Sequence, residues 1–239
     1  MTKPRWNIAH IRRRHAGYRY LLALEVLNLA LQPLCRFWLP LNPLLSIALA
    51  LVILLTLTRF SMLRKTRVQA MVIGAGAIAL ELVWLVLVEL GIALPKWFTV
   101  LHLVVWTVYL GLTVLRMVRS LIQEPYVTIA VVMGAASGYM LIGYCGGVLL
   151  YSLWLINPDN FGLMLESLPG SSDGTIQGLA AGPSLLLGSY GFLTTAGTNL
   201  VEARTLAAEA ATTLITVLGQ LYVAILISLV LARYHRRRT

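Results

Sequence analysis

Two groups of residues in this 239-residue chain have types and spacing suited to chemistry. The first is Thr194-Thr195-Ala196-Gly197-Thr198-Asn199, a small, backbone-exposing run. An apolar stretch opened by Gly182-Pro183-Ser184 precedes it, and a long apolar segment follows. Consecutive carbonyls of such a strand can replace the water shell of a dehydrating cation. Gly197 supplies unusual backbone angles, and Asn199 is among the few other residue types that tolerate a left-handed conformation. The second group is Glu25, Glu81 and His102, which lie with Asn28 inside apolar stretches. An ionisable group placed there costs enough to point to function, or to a paired contact between helices. Glu81 is too far from either end of its stretch to reach water, so it faces neighbouring helices, neutral or with a partner.

The elements that position these residues follow from composition. With 59% hydrophobic and 12% charged residues, the chain has too little polar surface to cover a soluble globule of its length. The formal charge of +10 sits in short clusters between apolar runs, not interleaved with aromatics, which argues for membrane topology over nucleic-acid binding. Six apolar stretches, at about 18–38, 41–58, 69–90, 97–117, 127–156 and 206–231, approach or exceed the ~20 residues of a spanning helix. The prolines at 33, 40 and 43 predict a tight hairpin between the first two. With six spans, the four basic clusters share one side: the N-terminal tail, Arg59 to Arg67, Arg116 with Arg119, and the C-terminal tail. That side is cytoplasmic, and both termini lie there. Asp159, Glu166, Asp173 and Glu202 fall outside, and Trp38, Trp97 and Trp154 fall at outer helix ends.

The expected fold is all-α: a polytopic membrane protein of six transmembrane helices with a re-entrant helix between the fifth and sixth. Its divisions are a basic tail (1–17), a four-helix membrane domain (18–123), a two-helix domain with a re-entrant loop at 183–199 (124–234), and a second basic tail (235–239). Pro183 suits the first position of a helix, and the dozen residues from there to Thr194 are too few to cross. A helix entering from outside aims its negative C-terminal end at the membrane centre, which favours a cation. Glycines 134, 138, 143, 146 and 147 read as close helix packing. Cys35 and Cys145 read as core residues, and Glu89 and Arg36 as a possible outer-end pair. No regular arginine series marks a voltage sensor, and no nucleophile, phosphate loop, cofactor or metal-ligand pattern marks an enzyme.

Three segments resemble the two-helix pore domain of bacterial potassium channels, in the variety preceded by four extra spans. Residues 185–199 (LLLGSYGFLTTAGTN) look like pore helix and filter, with Thr194, Thr195 and Gly197 matching Thr-Thr-x-Gly. Residues 219–230 (GQLYVAILISLV) look like the inner helix, and residues 138–154 like the outer helix. The resemblance implies a homotetrameric cation channel in a bacterial inner (plasma) membrane. It places a filter at Thr194 to Asn199, a hinge at Gly219, and potassium or sodium as the permeant ion. Thr198-Asn199-Leu200 stand where the family has Tyr-Gly-Asp, so the brace and outer anchor of the family filter are replaced. Weak discrimination between potassium and sodium is therefore expected, with anions excluded. The alternative is an accessory protein, or a proton-coupled transporter using Glu25, Glu81 and His102.

Overall fold

Each of the six apolar stretches folds as an α-helix, and a seventh helix lies between the last two. The computed structural model describes residues 8–36, 38, 41–60, 64–90, 95–123, 128–163 and 174–235. In chain order the helices are α1 (Ile8–Leu31), α2 (Leu41–Phe60), α3 (Arg64–Glu89), α4 (Lys96–Gln123), α5 (Ile129–Ile156), α6 (Gly174–Leu193) and α7 (Leu206–His235). Two short strands, β1 (Phe161–Leu163) and β2 (Val201–Ala203), complete the fold.

Local chemistry accounts for several boundaries. Helix α1 begins ten residues before the expected span, so the basic stretch from His10 to His15 is helical and continuous with it. Pro33 disfavours the α conformation at the residue before it, and the helix tightens there into a 3-10 turn, Gln32–Arg36. Pro43 sits in the first turn of α2, where a missing N–H costs nothing. Helices α1 and α2 then pack along each other as the expected hairpin. Glu89 ends α3 and Arg36 ends the 3-10 turn, and their side chains, on which the expected pairing depends, lie outside what the structure describes.

The outward faces are apolar. Leu101, Val104, Val108 and Leu115 on α4, and Leu214, Val217, Leu218 and Leu221 on α7, are all exposed. A contiguous surface of this kind suits hydrocarbon, not water. Helices α4, α5 and α7 are long and apolar enough to cross a membrane, and shorter apolar stretches occupy Leu41–Thr56 in α2 and Met71–Leu87 in α3. The chain is thus an all-α protein built to contact a lipid bilayer.

Helix α5 is the centre of the assembly and touches α1, α4, α6 and α7. Its glycines explain the close approach of three of these four neighbours, α1, α6 and α7. Gly134 faces Tyr18, Gly138 faces Tyr222, Gly143 faces Tyr190, Gly146 faces Ile215 and Gly147 faces Leu186, each so close that an added methyl group would collide. Small residues let helix backbones approach where no hydrophobic effect drives them together. Two buried clusters result. One, with Leu49, Ile53, Trp106, Tyr109 and Leu141, joins α1 to α5; the other, with Leu150, Leu185, Leu193 and Ile215, joins α5, α6 and α7.

Strands β1 and β2 pair antiparallel, with Gly162 opposite Glu202. Asn160 ties this end of the bundle together. Its side-chain amide donates to Leu153 O (2.8 Å), its Oδ1 accepts from the Thr205 hydroxyl (2.8 Å), and its backbone O accepts from Arg204 N (2.9 Å). The same Thr205 hydroxyl accepts from Ala208 N at the start of α7. The sheet therefore fixes the exit of α5 beside the entry of α7.

Candidate functional site: the turn after α6

Helix α6 runs antiparallel to α5 and stops partway along it. Leu186, Ser189, Tyr190 and Leu193 contact successively earlier positions, namely Gly147, Gly143, Met140 and Tyr139. At about 1.5 Å per residue, roughly 25 Å of α5 separates Tyr139 from the sheet end, and roughly 20 Å of α7 separates Leu206 from Gly219, which also touches Leu193. The α6 tip thus lies near the middle of the two long helices, and residues 194–200 carry the chain back to β2. The expected start at Pro183 differs from the structure. The helix begins at Gly174, and Pro183 is a buried interior residue. Apolar bundles tolerate interior proline because neighbouring helices re-satisfy the freed carbonyl, so proline here did not mark the boundary.

The last four carbonyls of a helix lack intrahelical donors, and here each finds another. Tyr190 O accepts from Thr194 N (3.0 Å) and Gly191 O from Gly197 N (3.2 Å). Phe192 O accepts from Thr195 N (3.1 Å) and the Thr216 hydroxyl (3.0 Å), and Leu193 O from the Tyr139 hydroxyl (3.1 Å). Side chains of α5 and α7 thus complete the cap, a role that sequence reasoning missed. What the α6 tip offers a cation is its remaining dipole, since its carbonyls are already bonded.

Backbone strain marks the turn. Gly197 has φ +76°, as its residue type allows, and Thr195 has φ +59°. Asn199 does not take the left-handed conformation expected of it. A β-branched residue with positive φ is a genuine outlier, and such strain persists only where the surroundings impose it. At Thr195 the surroundings are the bond to Phe192 O and a hydroxyl bond to Thr194 O (2.6 Å). Thr194, Thr195, Ala196, Gly197 and Asn199 are exposed on the surface of the chain, while Thr198 turns back. The Thr198 hydroxyl accepts from Leu200 N (3.0 Å), and its side chain rests on Gly188 and Gly191. The three-residue spacing of those glycines was the available signal, because it clears one face of α6 for the returning chain.

Gly219, implied as a hinge by resemblance, lies within an unbroken α7, buried against the Leu193 carbonyl. Close approach is sufficient reason for glycine there. At the sheet end, Asp159 is exposed, and Glu202 lies 3.6 Å from Arg204, which offsets its charge. Glu166 and Asp173 lie outside the described residues.

The three buried ionisable residues fall into two places, away from the turn. Glu81 Oε2 and His102 Nε2 are 2.6 Å apart, bringing α3 to α4, and His102 stacks on Trp84. Glu25 instead accepts from the Ser137 hydroxyl of α5 (2.9 Å). Nothing in the spacing of Glu81 and His102 announced their pairing, because they sit on separate helices. Among the described residues, no group of His, Cys, Asp and Glu is arranged to hold a metal ion.

No protein-family model, curated protein or solved structure matches this chain.

Proposed function

We propose that this chain is the subunit of a cation channel in a membrane, in which four copies place Thr194 to Asn199 around one central path. The observation that carries the reading is the strained turn after α6, exposed at the middle level of two long apolar helices. Irregular backbone at membrane depth is tolerated only where protein covers it or water fills the space beside it. A single chain in lipid satisfies neither condition. A ring of copies satisfies both, and one turn per chain cannot surround an ion alone. The segment 185–199 resembles a potassium-channel pore helix and filter, and the pore-helix assignment belongs to this reading. So do six spans with both termini in the cytoplasm of a bacterium, an orientation that rests on the basic clusters.

Selectivity follows from the turn. Where the resembling family has a bracing tyrosine, the hydrogen bond Thr198 makes among the described residues is local, from the N–H of Leu200 two positions on. The coordinating carbonyls are therefore less constrained, and potassium and sodium pass with little discrimination. Four α6 tips disfavour anions through their dipoles.

Mass measurement in mild detergent tests the assembly. The expected particle is four times the 26.3 kDa chain. A stable monomer or twofold dimer would remove the channel reading.

A further inference from the structure

We propose that the cavity lined by α2, α3, α4, α5 and α6 is a hydrated proton-binding site, in which the Glu81–His102 pair takes the proton. The cavity measures about 80 Å³, room for more than one water molecule. Asn42, Ser46, Glu81, His102, Trp106 and Tyr144 line its polar side, and Gly182 and Leu186 of α6 close another.

The case rests on where the unpartnered atoms lie. Among the described residues, the buried side-chain polar atoms without a hydrogen-bond partner are Glu25 Oε2, Asn28 Nδ2, Gln32 Oε1, His102 Nδ1 and Trp106 Nε1. His102 and Trp106 both line the cavity and are 4% and 2% exposed. The other three form one stripe along the end of α1 and into the 3-10 turn after it, and the Gln32 end of that stripe leads to the same place. Gln32 donates to Asn28 Oδ1 (2.7 Å) and to Asn42 Oδ1 (3.5 Å), and Asn42 lines the cavity. The Ser46 and Tyr144 hydroxyls, 2.6 Å apart, bridge α2 to α5 beside it. Each buried polar atom left bare costs about 1–3 kcal/mol, so the two that line the cavity, with Asn28 and Gln32 joined to it through Asn42, mark places for bound water.

The proton's place follows from the pair. His102 Nε2 is committed to Glu81, so Nδ1 is the nitrogen that exchanges a proton with cavity water. A proton moves from water to Nδ1, and a carboxylate beside a neutral imidazole becomes a carboxylate–imidazolium pair of no net charge. Stacking on Trp84 favours that cation. The other titratable groups facing the cavity are Tyr144 and Tyr151 on α5; α2 presents Asn42 and Ser46, and α6 presents Gly182 and Leu186, all uncharged. Glu25 stands at the far end of the stripe on α1.

Tryptophan emission reads this site without ion flux, so its test is separate from that of the channel. An imidazolium quenches a tryptophan stacked on it, and full-length protein in detergent can be titrated from about pH 5 to 8. A reversible emission step is expected. It disappears in His102→Asn, and it changes in Glu81→Gln, because the partner of the cation is gone. If Glu81→Gln misfolds, nitrogen-15 spectra of histidine-labelled wild-type protein, compared with His102→Asn, follow the same ring directly. The proposal is overturned if neither wild type nor Glu81→Gln shows a step that His102→Asn removes, or if that step is the same with and without the carboxylate. A histidine resonance that stays in one protonation state throughout would overturn it equally.

Discussion

On the proposed channel reading, cation flux through reconstituted protein is expected to fall by at least about a thousandfold when Gly197 is replaced by alanine, while helix content and subunit assembly stay as they were. The reason is the backbone. Gly197 holds φ +76°, and nothing lies within 4 Å of the position its side chain would occupy, so alanine meets no neighbour within the chain. It meets a torsional cost of about 1–2 kcal/mol per copy. Four copies sharing one path must adopt the angle together, at about 4–8 kcal/mol in all, and each ~1.4 kcal/mol is tenfold in population. One chain loses little stability, whereas the ring loses its open geometry. Flux from labelled potassium in proteoliposomes, with circular dichroism of the same sample, separates the two effects. Unchanged flux would mean that this turn does not line the path.

Gly191→Ala has the second large effect, by a different route. A methyl group there sits 2.6 Å from the Gly197 carbonyl oxygen and 3.0 Å from Thr198 Cβ, and backbone cannot rotate away as a side-chain tip can. Overpacking of this kind costs about 1–3 kcal/mol, and relief requires the returning segment to lift off α6. The bond from Gly197 N to Gly191 O is then lost, and with it the registration of the whole turn. The expected result is a lower unfolding temperature together with loss of flux. Gly76→Ala is the control. It is a helical glycine with nothing within 4 Å, and alanine there is expected to leave both properties intact or to stabilise the helix slightly. Equal behaviour of the two variants would mean that the turn does not lie on the glycine face of α6.

The sequence made some of this legible and hid the rest for physical reasons. The apolar stretches announced helices because length and composition alone set that signal. They did not announce which face of each helix is buried. In hydrocarbon both faces are apolar, so α4 carries Leu101 and Val108 outward and Leu103 and Leu110 inward with no change of residue class. Glycine supplied the missing contrast. The five glycines of α5 read as packing positions, and the structure gives each a bulky partner on α1, α6 or α7. Residues 194–199 stood out as small and polar between apolar runs, and Gly197 has the positive φ its type suggested. Which second residue shares that conformation was not legible. Thr195 takes it and Asn199 does not, because the capping bonds around the α6 tip outweigh intrinsic preference. Tyr139 and Thr216, which complete the cap, look like ordinary members of their helices until α5, α6 and α7 are set side by side. The same holds for Glu81, which read as either neutral or paired, because its partner, His102, lies on another helix.

Planar bilayers containing the purified protein, with potassium chloride on one side and a different concentration of sodium chloride on the other, give the most direct measurement. Current should flow and reverse near the potential set by the total monovalent cation concentrations if, as proposed, the turn after α6 passes potassium and sodium with little preference and disfavours chloride. Reversal displaced far beyond that potential, in the direction that opposes potassium flow, would show a rigid filter and correct the selectivity argument alone. Absence of current, or reversal at the chloride potential, would contradict the claim that Thr194 to Asn199 surround a path for cations.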